Sequence, residues 1–361
     1  MTRIAVLGAG VMGTALTYPL ADNGHEVHLI GTHLDDAIIA SCRANGTHPR
    51  LKRALAPGVT AFPLAELAKA LQGAEVIVLG VNSRGVRWAA QTLAPHLHPD
   101  VPVVMVTKGL AADERGNLII FPDLFAAELP AELRASVRLA AIGGPSIAGE
   151  LAARRETCVV FTSRDADTLA RLAPMFATDY YHIWTSTDLV GVEVCVALKN
   201  IYALGVGFVA GVLEASGGPD GNAAMHNYAA ALFAQGLTEM AQLVQHMGGG
   251  IETVFSLPGA GDLYVTTQGG RNSRMGRLLG MGVDPEEATE QLAGETVEGV
   301  DASIAIAPAV EKLIERGMFE ADAFPLMRQI YAVAVKGRPV ESIFERFFQP
   351  ALLKLQPATR A

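Results

Sequence analysis

A doubly wound α/β domain with a mainly parallel sheet, followed by an all-helical domain, is the fold class this sequence predicts, on three observations. A glycine-rich turn, Gly8-Ala9-Gly10-Val11-Met12-Gly13, lies at the extreme N-terminus between two strand-like runs, Ile4–Leu7 and Glu26–Ile30. Further continuous apolar runs recur through the first half, as expected of strands covered by helices on both faces. From Asp188 onward the strand patterns stop and helical periodicity takes over. With 361 residues, half of them hydrophobic, the chain has the material for two cores. The expected division is residues 1–186 and 187–361, with the boundary near Ser186.

In chain order, Ile4–Leu7 leads into the glycine turn, a helix over Thr14–Asn23 and a second strand, Glu26–Ile30. Strand, glycine turn, helix and strand are the context of a dinucleotide fingerprint. Gly8 makes the tight turn, Gly10 lets backbone approach a pyrophosphate, Gly13 packs the helix on the strand, and Val11 and Met12 open the helix whose amides face the anion. The residues after the second strand normally select between NAD and NADP. Here they read Gly31-Thr32-His33, with neither an acid nor an Arg, and Asp35 and Asp36 follow slightly late. Thr32 and His33 are candidate weak donors to a phosphate, or ordinary loop residues; NAD and NADP stay open.

Glu75–Val81 and Val101–Thr107 are the next strands, ending at Asn82-Ser83-Arg84-Gly85 and at Lys108-Gly109. Polar groups just beyond strand carboxyl ends sit where open α/β sheets bind ligands, so Asn82 and Lys108 are site candidates. Leu139–Ile142 runs into a turn, Gly143-Gly144-Pro145-Ser146, whose spacing is not that of a nucleophile elbow. Cys158–Thr162 is a strand, Ala166–Pro174 a helix, and Tyr180–Thr185 an edge strand.

Helices are expected over 188–215, 222–247, 251–257, 261–268, 273–281, 285–293, 300–317 and 324–336. The first is long and apolar yet carries Lys199 and Asn200. A buried lysine loses hydration that a charged partner or bound anion must restore, so Lys199 requires a partner. Asp262 and Thr266 are spaced i,i+4 and share one helix face. The break at Gly269-Gly270 presents Arg271 and Asn272 at the next helix start, where amides, dipole and guanidinium converge on an anion.

The balance of 28 Lys and Arg against 37 Asp and Glu gives a net charge of -9, which argues against nucleic acid as a partner. Cys42, Cys158 and Cys195 are too few and scattered for a disulfide framework or a metal site, consistent with a reducing cytoplasm. No export signal precedes Ile4–Leu7. Ile201–Leu213, the most membrane-like segment, is shorter than the roughly 20 apolar residues of a span and reads as core. No integral membrane association is expected.

The chain resembles the NAD(P)-dependent glycerol-3-phosphate dehydrogenases over nearly its whole length. The segments that carry the likeness are Thr107-Lys108-Gly109, Gly144 through Glu150, Gly191-Val192-Glu193 with Ala197-Leu198-Lys199-Asn200, and Gly261-Asp262-Leu263 with Gly270-Arg271-Asn272, in the family's order. The resemblance implies interconversion of dihydroxyacetone phosphate and sn-glycerol 3-phosphate, a Rossmann domain, a helical substrate domain and a homodimer. It implies Lys199 as the proton-transfer residue with Asp262, Lys108 and Asn200 around it, and Thr266, Arg271 and Asn272, with Lys108, on the substrate phosphate. Glu298 in Val297-Glu298-Gly299 is implied near the nicotinamide, with Lys108 and Arg271 also touching the cofactor. Four positions depart from it: Ala229 and Gln235 stand where the family usually has a Lys and an Arg, Asn82 where Pro is common, and Thr32 where Arg is common in bacterial members. A related reductase of a β-hydroxyacid or ketopantoate-type substrate is the nearer alternative, with a carboxylate at Arg271; a non-catalytic dinucleotide sensor is the distant one.

Overall fold

The computed structural model describes residues 2–221, 223–292 and 297–340. Eight strands form the central sheet: β1 (Arg3–Leu7), β2 (Glu26–Ile30), β3 (Val59–Phe62), β4 (Val76–Leu79), β5 (Val103–Met105), β6 (Leu139–Gly143), β7 (Thr157–Thr162) and β8 (Tyr181–Ser186). Their spatial order is β8-β7-β6-β5-β4-β1-β2-β3. Strands β1 to β6 pair in parallel, β7 joins β6 antiparallel, and β8 closes the edge parallel to β7. The order reverses between β1 and β4, which opens a crevice at their carboxyl ends.

Both faces of this sheet are covered, as its unbroken apolar strands require. Along β1, Ile4 and Val6 belong to one core with Leu16 and Leu20 of α1 (Val11–Asp22). Ala5 and Leu7 face a second core that continues without a break through Leu198 and Ile201 into the helical domain. The axis of that domain is α2 (Leu189–Ala215), 27 residues long and 78% buried over its most apolar window, so this membrane-length helix is a core element. Asp188 caps it: Oδ1 accepts from the Gly191 amide at 2.8 Å, and Oδ2 accepts from the Gly250 amide and the Thr253 hydroxyl at 3.0 and 2.5 Å.

Around α2 pack α3 (His226–His246), α4 (Asp262–Thr267), α5 (Arg271–Gly280), α6 (Glu298–Glu315) and α7 (Pro325–Ala334). Glycines set the α2–α5 distance. A Cβ on Gly207 or Gly211 would lie 2.5 or 2.0 Å from backbone oxygens of α5, and one on Gly276 or Gly280 would lie 2.2 Å from backbone oxygens of α2. The expected helix at 251–257 is corrected to a 3₁₀ turn, Ile251–Thr253, followed by a π-helical turn, Leu257–Gly261. Pro258 lacks an amide hydrogen, and Gly259 sits where a Cβ would meet the Val254 carbonyl at 2.0 Å, so a regular helix cannot run through. The expected helix limits at 222 and 293, and the chain beyond 340, fall outside the described residues.

Candidate active site

Three charges from distant parts of the chain meet at one point. Lys199 comes from the middle of α2, Asp262 opens α4 directly after the π-helical turn, and Lys108 follows β5. Asp262 bridges the lysines: Oδ1 accepts from Lys199 Nζ at 2.7 Å and Oδ2 from Lys108 Nζ at 2.6 Å. The carboxylate is 1% exposed and the lysine side chains 9% and 19%. The buried trio carries a net positive charge, which suits an anionic ligand. Burial pushes the Lys199 ammonium down to about 8; Asp262 works against that shift and Lys108 adds to it.

A second layer fixes this geometry. Thr266 Oγ1 donates to the Asp262 carbonyl at 2.6 Å and accepts from Lys199 Nζ at 2.8 Å, so its hydroxyl is occupied in orienting the lysine. Two of the three ammonium protons of Lys199 are then committed, leaving one for a ligand. Asn200 donates to Glu298 Oε2 at 3.1 Å and accepts from Asn272 Nδ2 at 2.8 Å, and Asn272 Oδ1 accepts from the Gly299 amide at 2.8 Å. These amides tie α2, α5 and α6 together. Arg271 stands at the start of α5, 3.6 Å from Glu298 and 43% exposed.

Lys108, Lys199, Asn200, Asp262, Thr266, Arg271, Asn272 and Glu298 all line one cleft of about 780 Å³, and Val11 and Met12 at the start of α1 line it too. The fingerprint turn fits a dinucleotide. Gly8 has φ +111°, and a Cβ there would meet the Gly80 carbonyl of the neighbouring strand end at 2.6 Å; one on Gly13 would meet the Gly8 carbonyl at 2.3 Å. A Cβ on Gly10 would meet nothing within 4 Å, so the backbone at the mouth of α1 faces open space. Thr32, His33 and Asn82 do not line the cleft but stand near the ends of β2 and β4. The Thr32 hydroxyl donates to Asp35 Oδ2 at 2.8 Å, His33 packs edge-on to Trp88, and Asn82 Oδ1 accepts from the Gly85 amide. Asp35 Oδ2 also accepts from the Ala9 amide at 3.2 Å, so this late acid clamps the β2 turn to the fingerprint.

Residues 3–169 match the N-terminal model of NAD-dependent glycerol-3-phosphate dehydrogenase, and residues 188–345 match its C-terminal model. The chain belongs to this family. It is 37% identical over 340 residues to the NADP(+)-dependent glycerol-3-phosphate dehydrogenase of Archaeoglobus fulgidus, covering 94% of this chain and 97% of that one. With the glycerol-3-phosphate dehydrogenase [NAD(P)+] of Bacillus velezensis it shares 33% identity over 353 residues, 96% of this chain and 93% of the other. The crystal structure of the Coxiella burnetii glycerol-3-phosphate dehydrogenase superposes with a TM-score of 0.82 at 28% identity, covering 97% and 99% of the two chains. A ketopantoate reductase of Ralstonia eutropha reaches a TM-score of 0.55 at 17% identity, a likeness of fold alone.

The family departures lie away from this chemistry. Neither Ala229 nor Gln235 lines the cleft. Gln235 Nε2 instead donates to the buried Glu239 at 2.9 Å, whose two oxygens accept the Leu326 and Met327 amides that open α7. Sequence reasoning missed Arg50 and Ser146 as cleft residues. Ser146 Oγ is buried without a hydrogen-bond partner among the described residues, a feature no spacing rule signals.

Proposed function

We propose that Lys199 is the proton carrier with which this chain, using NAD or NADP, interconverts dihydroxyacetone phosphate and sn-glycerol 3-phosphate. The single observation that carries the reading is the Lys199–Asp262–Lys108 bridge in a cleft that Val11 and Met12 of the dinucleotide fingerprint also line. When bound, the nicotinamide supplies the hydride for the carbonyl carbon. Lys199 gives an Nζ proton to the developing alkoxide, and in the oxidative direction its neutral amine takes that proton back. A pKa near 8 keeps both forms within reach around neutral pH.

Lys108, held by the other oxygen of Asp262, places a second cation beside the reacting oxygen. Asp262 and Thr266 hold Lys199 in register, so they act by positioning. Asn200 and Asn272 spend their amides on one another, on Glu298 and on Gly299; they hold α5 so that its first amides and Arg271 meet the substrate phosphate. Remote phosphate binding then fixes the carbon that reacts. The reading also divides the chain at 186 and 187, and takes the protein as a cytoplasmic homodimer; its three cysteines are free, which supports a reducing compartment.

Nicotinamide absorbance, followed with dihydroxyacetone phosphate and with ketopantoate against NADH and NADPH in parallel, tests the assignment. Oxidation with dihydroxyacetone phosphate alone is expected. Turnover with ketopantoate alone would move the protein to the carboxylate-reducing class.

A further inference from the structure

Directly after Lys108 and Gly109 the chain makes a hairpin, Leu110–Ala112 paired antiparallel with Leu118–Ile120. Its Leu110 and Ile120 are buried in the core that runs on into the helical domain. The turn of this hairpin is built to hold one shape. The Asp113 amide donates to the Asn117 carbonyl and the Gly116 amide to the Asp113 carbonyl, both at 3.0 Å. Asp113 Oδ1 accepts from the amides of Arg115 and Asn117 at 2.9 and 2.8 Å, and Oδ2 accepts from Asn117 Nδ2 at 2.8 Å. Gly116 takes φ +85°, left-handed backbone that glycine adopts freely.

This turn grips the far end of α6. A Cβ on Gly116 would lie 2.8 Å from both the Ala309 carbonyl oxygen and Lys312 Cβ, so turn and helix are in close contact. Lys312 Nζ donates to the Glu114 carbonyl at 2.9 Å, and Arg316 Nη1 donates to the Arg115 carbonyl at 3.1 Å and to Asn117 Oδ1 at 2.9 Å. At the other end of α6, Asp301 in its first turn pairs with Arg84, after β4, at 2.8 Å. The helix is thereby held to the first domain near both ends, while its opening residues, Glu298 and Gly299, engage Asn200 and Asn272 in the cleft.

The contact between Asp262 and Lys108 crosses between domains: Asp262 and Lys199 lie on helices of the second, and Lys108 follows a strand of the first. Its 2.6 Å length therefore depends on how the domains are spaced. Only Gly109 separates Lys108 from the hairpin, and a Cβ there would meet the Phe121 ring at 2.7 Å, so this segment is packed too tightly to take up slack. We propose that Asn117 is a positioning residue for the reaction: by locking the hairpin turn and accepting Arg316 from the end of α6, it holds Lys108 at its working distance from Asp262 and Lys199. A retreat of Lys108 has a definite electrostatic sign. Burial is the main force that lowers the Lys199 pKa; of the charges that face it, Asp262 from α4 and Glu298 from α6 raise it, and Lys108 lowers it. Withdrawing Lys108 by about 1 Å from roughly 5 Å weakens that repulsion enough to raise Lys199 by about 0.4 unit, opposite in sign to the loss of Asp262.

This inference rests on the reading of Lys199 as the proton carrier, and the experiment separates the two. Turnover of dihydroxyacetone phosphate against pH, the NADPH dissociation constant and the melting temperature are measured on the wild type, Asn117→Ala, Arg316→Ala, their double variant and Arg328→Gln. The last is a control, since Arg328 ties Glu311 of the same helix to its own domain. Asn117→Ala and Arg316→Ala should each lower kcat about tenfold, within what a misplacement of about 1 Å costs. Both should move the pH midpoint of kcat/KM upward from about 8, with NADPH binding within about twofold of the wild type. The double variant should be no worse than Arg316→Ala, because both changes remove one shared contact. Arg328→Gln should melt lower while keeping the wild-type kcat and midpoint. An unchanged kcat and midpoint in Asn117→Ala, losses that multiply in the double variant, or the same midpoint shift in Arg328→Gln would overturn the proposal. A wild type whose turnover has no midpoint near pH 8 would instead defeat the Lys199 reading.

Discussion

Replacing Asp262 with Asn removes the carboxylate that bridges two lysines while keeping the side-chain shape. In the wild type, burial lowers the Lys199 pKa to about 8 and Asp262 limits that fall through a 2.7 Å contact. Two unit charges with centres about 4 Å apart interact by about 4 kcal/mol at an effective dielectric near 20. At about 1.4 kcal/mol per pKa unit, losing that attraction lowers Lys199 by about three units, to roughly 5. Repulsion from Lys108 acts in the same direction. At pH 7 the protonated fraction then drops from about nine-tenths to about one-hundredth, so ketone reduction should slow about 100-fold on this account alone. The assay is kcat/KM against pH in both directions, which reports the free enzyme. In the wild type, reduction declines and oxidation rises through pH 8; in Asp262→Asn both limbs should move to about pH 5. A variant that is slower yet keeps its midpoints near pH 8 would refute the idea that Asp262 sets the acidity of Lys199.

Other consequences concern the frame around the site. Glu193 is buried, with Oε2 unpartnered among the described residues, and burial raises its pKa to about 8 against the attraction of Lys108. A raised folded pKa means that the native state favours the protonated acid, so this stability is complete below pH 4.5 and lost as pH rises through 8. Glu193→Gln should therefore melt like the wild type at pH 5 and increasingly above it toward pH 9; parallel melting curves at every pH would contradict this. Gly276→Ala drives a Cβ to 2.2 Å from the Leu204 carbonyl, so α5 must shift at a cost of about 1–3 kcal/mol. Its substrate KM should rise several-fold with a lower melting temperature, and unchanged values would show that the α2–α5 spacing does not place Arg271. Glu239→Ala strands the Leu326 and Met327 amides and the Tyr202 hydroxyl, and denaturant unfolding should reveal a loss of about 3 kcal/mol; a loss under about 1 kcal/mol would argue that the junction re-forms its bonds elsewhere.

Much of the first domain was legible because its signals are local. Gly8, Gly10 and Gly13 are confined to one turn, β4 and all of β1 after Arg3 are continuous apolar runs, β2 alternates polar and apolar residues before Leu29-Ile30, and their neighbours in space are those the fingerprint implies. Strand β3 escaped because Val59–Phe62, bracketed by Pro57-Gly58 and Pro63, is interrupted by Thr60 and lacks the continuous apolar run that marks β4. The antiparallel turn of β7 escaped because strand direction is decided by tertiary pairing. In the site, Lys199 was conspicuous as a charge on an apolar helix, and Asp262 and Thr266 share a face at i,i+4 spacing. That both reach the same ammonium is a property of the α2–α4 packing, which pairs residues 63 and 67 positions apart. Arg50 left no mark because its loop is held at the cleft by bonds of His48 to the Ala9 carbonyl and of Tyr18 to the Ala54 carbonyl, which join residues 39 and 36 positions apart.

The central claim, that Lys199 carries the proton, is tested most directly by Lys199→Met, measured for turnover and for NADPH binding on the same preparation. Dihydroxyacetone phosphate reduction should fall by at least about 1000-fold, within the range that general acid catalysis supplies. The NADPH dissociation constant should stay within about twofold, since the fingerprint lies between β1 and α1, elements that do not carry Lys199. A variant that binds NADPH normally and keeps most of its turnover would remove Lys199 from the chemistry.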